Sequence, residues 1–127
     1  MMLEFDAKRG LIVVPVRLYG SHGDTILRLA LDTGATTTVI NWNQLVLIGY
    51  DPGSVENRTQ ITTGSSLEFV PQVNVNRIEA LGITQNNFPV LCHTLPPTAS
   101  VDGVLGLDFF RGRKLVIDFR KGKVTIS

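Results

Sequence analysis

Apolar and polar positions alternate along most of this chain with the period of two that marks half-buried β-strands. Between positions 25 and 32, Leu27, Leu29 and Leu31 fall on one side, and Ile26, Arg28, Ala30 and Asp32 on the other. Residues 11–18 are an apolar, β-branched run in which Pro15 predicts an edge or a bulged strand. Ser21-His22-Gly23-Asp24 joins the two runs as a hairpin turn, with Gly23 free to take positive φ. Further strands are predicted over residues 36–40, 55–62, 66–70, 73–80, 88–93, 101–105, 114–119 and 123–126, separated by turn-forming residues. One helix is expected over 42–48, where Asn41 suits the N-cap and Gly49 the position after the last turn. Residues 96–100 read as a loop and 107–111 as a short helical turn. No repeat, linker or low-complexity tract interrupts the pattern. The expected architecture is all-β: one domain over residues 1–127, closed and barrel-like so that its edges are paired, with one or two short helices.

Composition narrows the classes of function. A chain of 127 residues is the size of one domain, and 43% hydrophobic with 18% charged residues is the balance of a globular protein. Twelve basic and eleven acidic side chains leave a formal charge of +1, so no nucleic-acid partner held by phosphate neutralisation is expected. The single cysteine, Cys92, has no intrachain disulfide partner, which points to a reducing compartment. The apolar stretches 11–16 and 45–48 are far shorter than the roughly 20 residues of a membrane-spanning helix. Glu4 and Asp6 stand where a signal peptide would carry bases, so a cytoplasmic location and no membrane partner are expected.

The segment that carries chemistry is Leu29-Ala30-Leu31-Asp32-Thr33-Gly34-Ala35-Thr36-Thr37-Thr38-Val39-Ile40. A carboxylate at the end of an apolar strand is destabilising unless it is hydrogen-bonded, paired or protonated. Gly34 lets the backbone approach Asp32 closely enough for an amide N–H to bond the carboxylate.

In its context this segment resembles the retropepsin-like aspartic proteases, over about residues 10–126. The resemblance rests on the apolar strand into Asp32-Thr33-Gly34-Ala35, the β-branched Thr38-Val39-Ile40, a Gly64-tipped hairpin, and Val104-Leu105-Gly106 followed by Leu107-Asp108-Phe109-Phe110. The stretch Asp102-Gly103-Val104-Leu105-Gly106-Leu107-Asp108-Phe109-Phe110 is most like the bacterial and cellular members. The resemblance implies the retropepsin fold and a homodimeric peptide hydrolase needing neither metal nor organic cofactor. Aspartic proteolysis uses two carboxylates that share a proton and hold a water between them. This chain has one Asp-Thr-Gly, and Asp118 reads more simply as the polar residue of an alternating strand. The second carboxylate is therefore expected to be Asp32 of another copy, across a two-fold axis.

By the same resemblance, Thr33 would bond the partner's loop and Gly34 would contact substrate. Ala35 and Thr36 would line the substrate cleft, Val39 and Val104 would line it or serve as plain core residues, and the hairpin around Thr63 and Gly64 would fold over an extended peptide. Alanine at 35 has no hydroxyl to donate to an ionised carboxylate, so activity is expected to extend toward neutral pH. Thr36 and Thr37 stand where retroviral members carry acids, and Leu107 where they carry arginine. The rival reading is a non-catalytic module that keeps the fold to dimerise or to bind a peptide.

Other candidate groups have plainer readings. His22 sits in a turn, and the adjacent Cys92 and His93 face opposite ways on a strand, which does not suit zinc. Ser65 and Ser66 lack a Gly-x-Ser-x-Gly context. Arg111, Arg113, Lys114, Arg120, Lys121 and Lys123 read as the solvated face of a terminal hairpin, with Asp108 and Asp118 nearby.

Overall fold

A computed structural model describes residues 1–63 and 66–127. The alternating stretches form strands β1 (Met2–Glu4), β2 (Val13–Gly20), β3 (Gly23–Leu31), β4 (Val39–Asn41), β5 (Arg58–Thr63), β6 (Ser66–Ala80), β7 (Ile83–His93), β8 (Gly103–Leu105), β9 (Leu115–Asp118) and β10 (Lys123–Ile126). The helix α1 (Trp42–Leu47) follows β4, and single 3₁₀ turns occupy Pro52–Ser54 and Leu107–Phe109.

Six strands close into a ring in the order β2-β3-β8-β4-β7-β6. The ring shuts where Arg17–Tyr19 of β2 pair antiparallel with Arg77–Glu79 of β6. Pro15 lies in the half of β2 that pairs with β3 alone, where a missing N–H disrupts no second ladder. Within the ring β3 runs parallel to β8 and β4 parallel to β7, while β4 and β8 are antiparallel. Residues distant in sequence thereby meet at one end of the barrel. Gly103 permits this crossing, because a Cβ there would collide with the Val39 carbonyl. β1, β10 and β9 make a separate antiparallel sheet.

The ring encloses the core. Val14, Val16, Leu18, Leu27, Leu29, Ile40, Leu105 and Phe109 have at most 1% of their surface exposed. Each such side chain contributes about 1.5–3 kcal/mol relative to exposure. Phe109 meets Phe88 and Phe110 edge-on, at centroid distances of 5.9 and 5.6 Å.

Several elements differ from the sequence pattern. The strand expected at 36–40 begins only at Val39, because the Thr38 amide donates to the Asp108 carboxylate rather than to a ladder. The runs at 66–70 and 73–80 are one strand of 15 residues. Across Pro71 and Gln72 this strand changes partner, from Arg58 of β5 to Leu91 of β7, so one strand serves both a hairpin arm and the barrel. β7 starts at Ile83, earlier than expected, because Leu81 and Gly82 (φ 53° and 74°) make a two-residue hairpin turn. Asn86-Asn87 does not break β7, since Asn87 takes a left-handed conformation (φ 50°) inside the strand. The six-residue helix starts after Asn41, whose side chain caps nothing.

Candidate active site

Asp32 emerges where β3 ends, and residues 32–38 form a loop before β4. The loop is sewn to the segment that follows β8. The Asp32 amide donates to the Leu105 carbonyl at 3.0 Å, and the Leu107 amide donates to the Ala35 carbonyl at 2.8 Å. The Gly106 amide donates to the Thr38 hydroxyl at 3.1 Å. That hydroxyl in turn donates to Asp108 Oδ1 at 2.7 Å, and the Thr38 amide reaches both Asp108 oxygens at 3.0 Å. A Cβ on Gly106 would lie 2.8 Å from the Thr37 carbonyl carbon and 2.9 Å from the Ala35 oxygen, so only glycine allows this approach.

The Asp32 side chain is half-buried. Its Oδ1 accepts a hydrogen bond of 2.9 Å from the Gly34 amide, the compensation that glycine at this spacing predicts. Among the described residues no other side chain bonds this carboxylate, and its remaining acceptor positions are open. Thr33 is exposed, and its hydroxyl has no bond within the described residues.

Beside the loop lies a recess of about 400 Å³. Gly34, Ala35, Thr36, Thr37, Val39 and Leu91 form its barrel side, and Thr59, Gln60, Ile61 and Thr62 of β5 its other wall. Among the described residues no ionisable side chain lines it. Asp32, Thr33, Gly34, Ala35, Thr36 and Val39 are thus gathered at one end of the barrel. Val104 is half-buried in β8 between Ala30 and Val39, and is not part of the recess wall. Thr63 pairs with Ser66 at the end of the β5–β6 arm, and Gly64 lies outside the described residues.

The sequence sets Asp108 and Asp118 only near the basic face of the terminal hairpin and assigns them no partner. In the structure Asp108 binds Thr38, and Asp118 accepts the Arg120 and Lys121 amides at 2.9 Å each. Sequence reading therefore missed the Thr38–Asp108 pair. The available signal was the position of Thr38, the last of three threonines and the one directly before the apolar Val39 and Ile40. Thr38 is 0% exposed, the sole fully buried polar residue in the described chain. Cys92 points into the core, where burial pushes its thiol up to about 12 and keeps it protonated. His93 faces the other way, with Nε2 at 3.8 Å from Glu68 of the arm.

A six-stranded ring with a paired arm and a carboxylate-bearing loop at one end is a retropepsin-like fold. A solved structure of a retropepsin-like aspartic protease from Rickettsia conorii matches it with a TM-score of 0.72. The two are 14% identical, and the match covers 100% of this chain and 91% of that one. The chain also matches the aspartyl protease family over residues 14–109, and it belongs to that family, with a retropepsin-like fold. No curated protein sequence matches it.

Proposed function

We propose that the protein is an aspartic endopeptidase that works as a homodimer. The observation that carries this reading is Asp32: a half-buried carboxylate, held on one side by the Gly34 amide and open on the other, in a chain with no second Asp-Thr-Gly. Two such carboxylates brought together across a two-fold axis share one proton. The ionised one takes a proton from a water held between them, and the protonated one donates to the scissile carbonyl as the water attacks. A tetrahedral intermediate forms, and its collapse, with a proton passed to the leaving amine, separates the two peptides. The free hydroxyl of Thr33 would bond the partner's loop and hold the carboxylates in register. The substrate would lie extended between the loop and β5, as an added strand.

The recess supplies a substrate class. With threonines, Ala35, Val39, Ile61 and Leu91 on its walls and no charge to pair with, it favours an uncharged, medium-sized side chain. A charged side chain entering there would lose water without gaining a partner. The test is digestion of a diverse peptide pool between pH 4 and 7.5, read by mass spectrometry, with Asp32→Asn alongside. Cleavage by the wild type alone supports the aspartic mechanism. Silence from both proteins, in samples measured to be dimeric, would overturn it in favour of a peptide-binding or dimerisation module.

A further inference from the structure

We infer that Asp108 is the positioning residue for Asp32, acting through Thr38 and without touching substrate; the inference rests on the peptidase reading above. The geometry begins with the Thr38 hydroxyl, which accepts from the Gly106 amide at 3.1 Å and donates to Asp108 Oδ1 at 2.7 Å. One group must therefore be donor and acceptor at once, a role that serine or threonine fills and valine does not. Thr38 is completely buried, so water has no access to replace either bond. The Asp108 carboxylate also accepts the Thr38 amide through both oxygens at 3.0 Å. The carboxylate thus takes three hydrogen bonds from two donors of one residue, the Thr38 amide and hydroxyl, and an amide in its place would turn an N–H toward the Thr38 N–H.

These bonds fix the far end of the Asp32 loop, as the Asp32 amide to the Leu105 carbonyl fixes the near end. Between them the Leu107 amide holds the Ala35 carbonyl, and the Gly34 amide is left aimed at Asp32 Oδ1. The catalytic carboxylate is thereby set within a single chain, before a second copy arrives. Misplacement of a reacting group by about 1 Å lowers a rate by about 100-fold, which is the scale expected if this fastening is lost.

The test compares Asp108→Asn, Thr38→Val and Thr38→Ser with wild type. Turnover is expressed per dimer counted by sedimentation, and hydrogen exchange is followed at the Gly34, Gly106 and Leu107 amides. A positioning role predicts kcat lower by about 100-fold for Asp108→Asn and Thr38→Val at unchanged KM and dimer content, with Thr38→Ser close to wild type. Exchange at the three loop amides should quicken in the first two variants while the β6–β7 amides stay protected. Unchanged kcat per dimer in Asp108→Asn would overturn the inference. Failure of both Asp108→Asn and Thr38→Val to fold would also overturn it, in favour of a purely structural role. A wild type that cuts no peptide would remove the peptidase reading itself. Exchange would then decide the fastening alone, with unchanged loop protection in Asp108→Asn counting against it.

Discussion

The Asp32 loop and the β5–β6 arm face each other across one recess and are held in opposite ways. The loop is tied at both ends and in its middle to residues 105–108, around a buried hydroxyl and a glycine that admits no side chain. The arm is held by its own ladder, from Arg58 opposite Pro71 to Thr63 opposite Ser66, and meets the barrel near its base. There the Gln72 amide donates to the Asn57 carbonyl at 2.9 Å, and Glu68 sits 3.8 Å from His93. Leu67 and Phe69, on one face of the arm, are 64% and 67% exposed. Segments with few buried contacts open locally at low free energy, whereas a core-anchored loop opens only with the whole domain. The peptidase proposed above would need that division: fixed reacting groups, and a cover that yields to let substrate in.

The largest effect that would sharpen the comparison is at Asp32 itself. Asp32→Asn should lower peptide cleavage by about 10⁴-fold or more, with the melting temperature unchanged or raised, because a pair of apposed carboxylates is lost. Unfolding of that variant would break the comparison by making the carboxylate a structural member of the loop. Next, Gly106→Ala should destabilise the domain by about 1–3 kcal/mol in denaturant titration, since backbone rather than a flexible side chain stands in the way. On the arm, Leu67→Thr combined with Phe69→Thr should change stability by less than about 0.5 kcal/mol while altering KM. A smaller change is expected from Ala35→Ser: a pH–rate profile shifted toward acid by about one unit or less, because a hydroxyl favours the ionised carboxylate. The smallest signal is chemical. Cys92, with its thiol pushed up to about 12, should resist iodoacetamide at pH 8 until denaturant is added. Modification of the native protein would mean that the barrel core around Cys92 opens without denaturant.

How much of this was legible in the sequence follows from the range of each interaction. The alternation in β3, the Gly23 turn and the Asp32–Gly34 contact are local, and the chain states them directly. β1 was not anticipated, because three residues become a strand only by pairing with β10, some 120 positions away. The union of two runs into β6 was hidden for a similar reason: Pro71 reads as a break until β5 and β7 are both in place beside it. In the site, Asp32 announced itself by its neighbours. Asp108 did not, since its partner Thr38 is 70 residues away and the nearby basic side chains offered a simpler account.

That separation has a consequence for synthesis. β3 and the loop after it leave the ribosome long before β8, yet most of the ties that order the loop come from residues 105–108. Parallel pairing of segments so far apart is slow to form and cannot begin until both are made. A growing chain therefore displays Asp32 on an incompletely fastened segment until residues 105–108 are made. The geometry around that carboxylate is completed only once residues 105–108 have been added.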